Sequence, residues 1–286
     1  MEIERTRYDL AFSMGFSCGA TFALREAGLQ TSSYPLDWMG SPGLLPSARA
    51  IAGNFANWTE KGDFRLHDIR RGGLDKHIYL NVRTGFGFPH DFSSFVSFDE
   101  AYPEVRAKYD RRIARFLQAA GEAKRLLAVY VEYPVKRRAS DAELDEARRT
   151  LAARFPQAAV DLLYFYEEPG VREPHAERPA AGIAAVGLDY REIERGQVMH
   201  TLDHRPIAAY LRAHVEVEDR LADAEKAAYA AGKRRRRDLR WGEGGLLKRW
   251  ANRLAYRLYR KLEKRLVAEG LVPWEGPLWF VRVDEK

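Results

Sequence analysis

Tyr8–Met14 (YDLAFSM) is a short apolar run stopped by Gly15, and from Gly19 to Ala27 the pattern turns to helix formers that end at Gly28. An apolar run of this length bounded by a turn residue reads as a buried strand, and a glycine after helix formers reads as a helix stop. The stretch therefore predicts strand, tight turn, helix. Farther on, Ile113, Phe116, Leu117 and Ala120 share one helical face within Arg111–Ala123, and Arg125–Tyr133 (RLLAVYVEY) follows as a buried strand. Asp141–Arg154 is the next helix, opened by Ser140 with Glu143 three residues on, the pair that makes a capping box. Val160–Tyr166 (VDLLYFY) continues as a strand. This β-α-β alternation predicts an α/β protein, a three-layer sandwich on a mainly parallel, Rossmann-like sheet with right-handed crossovers.

Other segments carry less pattern. Residues 40–105 hold Gly, Pro, Asn and many aromatics without clear periodicity and read as an irregular, site-building insertion. Residues 169–182 read as a turn-rich surface loop beside the sheet. A helix is expected near Ile207–Ala231, then the tract Lys233–Arg237 (KRRRR), then a helix over Leu246–Leu266 with Leu247, Trp250, Leu254, Leu258 and Leu262 at helical spacing. Gly276–Val283 looks like a last strand. The expected division is an α/β domain over 1–232 that carries the site and a basic, helical C-terminal extension over 233–286.

Composition narrows the classes. With 46% hydrophobic and 12% aromatic residues the chain is globular rather than a disordered tail. Lys233–Arg265 holds 14 Lys/Arg against three acids, a balance of +11 within a chain of formal net charge +6, so the remainder sums to −5. A basic appendage on a mildly acidic body argues against a nucleic-acid-binding domain; its helix reads either as lying on an anionic membrane surface, toward which the KRRRR tract tilts, or as packing its Leu and Trp on the core with the arginines a solvated face. One cysteine excludes an intramolecular disulfide, early charges interrupt any signal-peptide pattern, and no window holds the run of about 18 apolar residues that spans a bilayer. The expected location is cytoplasmic, with contact to the inner membrane only peripheral.

Cys18 is the single cysteine and sits where the first helix should begin. A helix N-terminus lowers a thiol pKa, and the same N–H groups, around Ser17–Ala20, can hold an oxyanion or phosphate. The competing reading is a small buried residue at the edge of a core. A nucleophilic cysteine needs a base, and His90 in GFGFPHDFSS is the best placed of the seven histidines, with Asp91 adjacent and Asp37, set between Pro35 and Trp38, as an alternative acid. Ser13, Gly15, Ser17, Ser33 and Trp38 are the candidate ligand-binding residues around them. His200 with His204, and His67 with His77, have spacings that a metal could use, but Pro206 and the loop character of the second pair speak for turns, so no metal and no cofactor is expected. TGFGF lacks the GK[ST] and the following helix of a phosphate loop.

Several motifs occur together: Ser13-Met14-Gly15-Phe16-Ser17-Cys18, Leu24-Arg25, Gly28-Leu29-Gln30, Ser33-Tyr34-Pro35-Leu36-Asp37-Trp38, His90-Asp91-Phe92 and Tyr109-Asp110-Arg111-Arg112-Ile113-Ala114-Arg115-Phe116. In this combination the first 165 residues or so resemble the bacterial domain of unknown function described as putative papain-like cysteine peptidases. The resemblance implies Cys18 as nucleophile, His90 as base, and Asp37 or Asp91 as the acid that orients it. One feature departs from papain-like folds, in which the cysteine opens a helix packed on a separate antiparallel barrel. Here Cys18 directly follows a strand in a β-α-β alternation, the place of a ligand loop at the carboxyl end of a parallel sheet. The expected function is a cysteine-dependent hydrolase or acyl transferase acting on a peptide, glycan or small-molecule substrate. Two alternatives are a glycan- or nucleotide-sugar-handling transferase docked on the membrane, with Cys18 structural, and a non-enzymatic binding module.

Overall fold

The structure is a computed structural model that describes residues 5–30, 32–70, 76–93, 96–133, 137–194 and 197–218. In chain order the elements are β1 (Thr6–Tyr8), β2 (Leu10–Ser13), α1 (Gly19–Glu26), α2 (Leu44–Ala52), β3 (Phe64–Arg70), β4 (Lys76–Asn81), β5 (Gly87–Ser93), α3 (Phe98–Glu122), β6 (Arg125–Val131), α4 (Asp141–Arg154), β7 (Ala159–Glu167), β8 (His175–Ala180), β9 (Ile183–Leu188), β10 (Arg191–Glu194), β11 (Gln197–Leu202), α5 (Arg205–His214) and β12 (Val215–Val217). The described residues fall into two compact units, one within Met1–Arg65, Leu80–Pro89 and Tyr102–Asp219, the other within Leu66–Tyr79 and His90–Ala101.

The first unit is built on a five-stranded sheet of order β2-β6-β7-β9-β8. β2, β6, β7 and β9 run parallel, with Leu10 opposite Leu126, Leu126 opposite Val160 and Leu162 opposite Ile183, while β8 closes one edge antiparallel to β9. β1 pairs in parallel with β12. Successive strand residues point to opposite faces, and here both faces are covered. On one face Ala11, Leu127, Val129, Leu163, Phe165 and Val186 form a core with Ala20 and Leu24 of α1 and Ile207 and Leu211 of α5. On the other, Phe12 meets Phe116 of α3 edge to face at 5.0 Å, and Phe116 meets Phe155 at the end of α4. The three-layer α/β arrangement with a mostly parallel sheet is therefore present.

The predicted strand Tyr8–Met14 is broken at Asp9, whose Oδ2 accepts the N–H groups of Lys124 (2.6 Å) and Arg125 (2.9 Å). α4 has the predicted bounds, and its capping box is complete in both directions. The irregular reading of 40–105 is corrected, because this stretch holds α2, the three-stranded sheet β3-β4-β5 and the first turns of α3. α3 starts well before Arg111 and carries Pro103 inside it, where buried Tyr102, Val105 and Tyr109 hold the helix against the usual proline penalty. The loop expected over 169–182 contains the edge strand β8, and β9 follows it unforeseen. The helix expected near Ile207–Ala231 ends at His214 and turns into β12. The Lys233–Arg237 tract, the Leu246–Leu266 helix, the Gly276–Val283 strand and the whole 233–286 extension lie outside the described residues. Among the described residues no helix is long and apolar enough to cross a membrane.

Candidate active site

β2 ends at Ser13 and the chain leaves the sheet through Met14–Cys18 into α1. Gly15 has φ +84° and Phe16 φ 57°, so two consecutive left-handed residues make the sharp turn that brings the helix start back over the strand end. Only the first of these is glycine, and a Cβ there would stand 3.4 Å from the Ser41 Cβ and 3.6 Å from the Leu36 carbonyl. The loop is pinned by its own polar groups: Gly15 N–H donates to Ser13 Oγ (3.0 Å), Gly19 N–H to Ser17 Oγ (3.3 Å), and Ser41 N–H to the Phe16 carbonyl (3.0 Å). Cys18 is the N-cap of α1, half-buried, with no side-chain capping bond, and its carbonyl accepts from Phe22 N–H. The first turn of α1 carries no acid, so nothing there offsets the positive end of the helix dipole.

The Ser33–Trp38 segment supports this helix. Asp37 is fully buried; its Oδ2 accepts Gln30 Nε2 and Tyr34 N–H, each at 2.7 Å, and its carbonyl accepts Thr21 Oγ1 of α1 at 2.7 Å. Arg25 Nη2 lies 4.0 Å from the same Oδ2, and Asp37 Oδ1 is buried without a hydrogen-bond partner among the described residues. Burial pushes the carboxyl up to about 6, against the opposing pull of Gln30, the Tyr34 amide, Arg25 and Arg112. Arg25 also donates to Ser33 Oγ (2.7 Å) and stacks on the Trp38 ring, whose Nε1 reaches Ser33 Oγ at 3.4 Å. Phe22, 41% exposed, stands edge-on to Trp38 and stacks on His204, which pairs with Glu26 at 2.8 Å. The structure thus brings Cys18, Asp37, Ser33 and Trp38 onto one support around α1.

Residues 9–146 match the model of the family described as "Putative papain-like cysteine peptidase (DUF1796)". The family's description is that of a cysteine-dependent hydrolase, and the matched stretch contains the Cys18 loop, the Asp37 turn and His90. It stops inside α4, so β7 to β12 lie beyond it. No match was found among the curated proteins or among solved structures.

Of the other residues singled out in the sequence, His90 and Asp91 are neighbours on β5, not in a loop, and both are partly buried. As consecutive strand residues they point to opposite faces. They belong to the second unit, whose Tyr79, Phe92 and Phe98 rings pack together at 4.6–5.3 Å. His200 and His204 do not share a helix, since His200 is on β11 and His204 caps α5, while His67 and His77 are on the paired strands β3 and β4.

One carboxylate at the carboxyl edge escaped the sequence reading. Glu132 follows the last residue of β6, the strand paired with β2, and is 8% exposed. Its Oε1 accepts Tyr133 N–H (3.0 Å), its Oε2 the Tyr164 hydroxyl (3.2 Å), and its carbonyl the Tyr190 hydroxyl (2.7 Å). The Tyr133 ring lies 5.2 Å from Phe16 of the cysteine loop. An acid inside the apolar run RLLAVYVEY was the available signal, since a charge at a strand end of a parallel sheet faces the crevice where ligands bind.

Proposed function

We propose that the chain is a cysteine-dependent hydrolase or acyl transferase with Cys18 as its nucleophile. The observation that carries this reading is the placement of Cys18 as N-cap of α1, straight after a parallel strand, on a loop held by Gly15 and Phe16 in left-handed conformations. The Cys18 thiolate would attack an acyl carbon, the carbonyl pair moving onto oxygen and the N–H groups at the helix start receiving that oxyanion. The oxyanion collapses, the leaving group departs with a proton, and water or another acceptor releases the acyl group from sulfur. His90 is the candidate base on the sequence motif. Asp37, bound to Gln30, Tyr34 and α1, serves by keeping the helix start in place, and Asp91 remains the motif's other acid.

A second reading, a transferase of glycans or nucleotide sugars with Cys18 structural, rests on the acid-free first turn of α1 at the carboxyl edge of the sheet, which suits a phosphate as well as an oxyanion. Iodoacetamide separates the two. A nucleophile is alkylated in the folded protein, whereas a structural thiol reacts only after denaturation.

A further inference from the structure

At the other edge of the sheet, where β1, β6, β7, β9 and β12 begin, there is a cavity of about 200 Å³. Its floor is part of the α1/α5-side core, with Leu127, Leu163 and the Tyr210 ring buried. Its charged lining is Arg125 and Arg178 against one carboxylate, Asp161, with Thr6, Tyr8 and His214 as further polar groups. That carboxylate is already engaged: its Oδ2 accepts the Tyr8 hydroxyl at 2.8 Å and lies 3.8 Å from Arg125 Nη2. Arg178 is an exposed residue of β8 whose guanidinium acts on both Tyr8 and Tyr210 of the lining. Burial, and then Asp161, push the Tyr8 phenol up while Arg125 and Arg178 both pull it down, so the two guanidiniums act on the same point of the cavity.

We propose that this cavity binds a small organic anion, a carboxylate or phosphate on an apolar body, with Arg178 and Arg125 taking the charged head and Leu127, Leu163 and Tyr210 the body. Two arginines against one carboxylate leave the lining with a positive excess, which sets the sign of the ligand. Guanidiniums bind either oxyanion through paired N–H donors. The volume sets its size, being below the roughly 300–1,000 Å³ of pockets that enclose drug-sized ligands. Because parallel strands place their carboxyl ends together, this site is at the opposite edge from the Cys18 loop and does not depend on the peptidase reading.

The test is an NMR titration of the full chain with benzoate, phenyl phosphate and uncharged benzyl alcohol at millimolar concentration, in wild type, Arg178→Ala and Cys18→Ala. The expected result is binding of benzoate or phenyl phosphate but not of benzyl alcohol, weakened about tenfold in Arg178→Ala by loss of one charged hydrogen-bonding group, and unchanged in Cys18→Ala. Whichever anion binds more tightly identifies the head group. Arg178 is exposed, so its replacement leaves folding intact, which the spectrum itself verifies. Binding of neither anion, equal binding of benzyl alcohol, equal affinity in Arg178→Ala, or loss of binding in Cys18→Ala would each overturn the proposal.

Discussion

Replacing Asp37 by Asn removes one titrating carboxyl from the interior, and with it a pH dependence whose size follows from the burial of that group. In the folded protein the carboxyl is raised from the usual 3.8 to about 6. Between those values the folded state holds a proton that the unfolded chain has released, so protonation stabilises the fold at low pH and this contribution is lost as pH rises through 6. Two pKa units correspond to about 3 kcal/mol. The cause is burial: the carboxyl is fully enclosed, and although Oδ2 has Gln30 and the Tyr34 amide as donors, Oδ1 has no hydrogen-bond partner among the described residues and Arg25 stands 4.0 Å away, too far for a direct hydrogen bond. Asn keeps an acceptor oxygen for Tyr34 and Gln30 and cannot ionise. Urea unfolding of wild type and Asp37→Asn should therefore show a stability difference that moves against wild type by about 2 kcal/mol between pH 4 and pH 7, the rest of the change falling below pH 4. Other acids cancel in the difference. A difference that stays flat over this range, or that moves in favour of wild type, would refute the account of Asp37.

Two further substitutions test the elements that position the loop and the sheet. Gly15→Ala forces a Cβ into a left-handed residue and toward Ser41 and the Leu36 carbonyl, so it should cost about 1–2 kcal/mol in chemical unfolding and lower Cys18 reactivity, whereas Gly28→Ala, with φ +76° but open space around it, should show the strain cost without the loss of reactivity. Ser140→Ala removes the donor–acceptor exchange with Glu143, whose carboxyl is held down at about 2 by Arg137 and the Ser140 groups; it should lower the urea midpoint by an amount equivalent to ~1 kcal/mol and leave Cys18 untouched.

Strong local signals were legible in the chain. Apolar runs gave β2, β6 and β7, Ser140 with Glu143 gave the start of α4, and Gly28 gave the end of α1, because burial on both faces and end-capping write themselves into adjacent residues. The misses share a cause: tertiary contacts overrode local preference. Pro103 argues against a helix, yet α3 runs through it on the strength of Tyr102, Val105 and Tyr109 in the core. The polar strand β8 (HAERPA) has no inward apolar face to announce it and exists by pairing with β9. Within the site, Cys18 stood out as the single cysteine and Asp37 as an acid in an apolar turn. Glu132 did not, since its burial depends on the hydroxyl of Tyr164, more than thirty residues away in sequence.

The measurement that bears most directly on the proposed chemistry is the rate of Cys18 alkylation by iodoacetamide in the native protein as a function of pH, with His90→Ala alongside. A nucleophilic Cys18 at the start of α1 reacts in the folded state with an apparent pKa well below the unperturbed value of about 8.5, and loses that reactivity near neutral pH in His90→Ala. A thiol that stays inert until the protein is denatured, or that titrates at or above 8.5 in both proteins, would contradict the account and leave Cys18 as a structural residue.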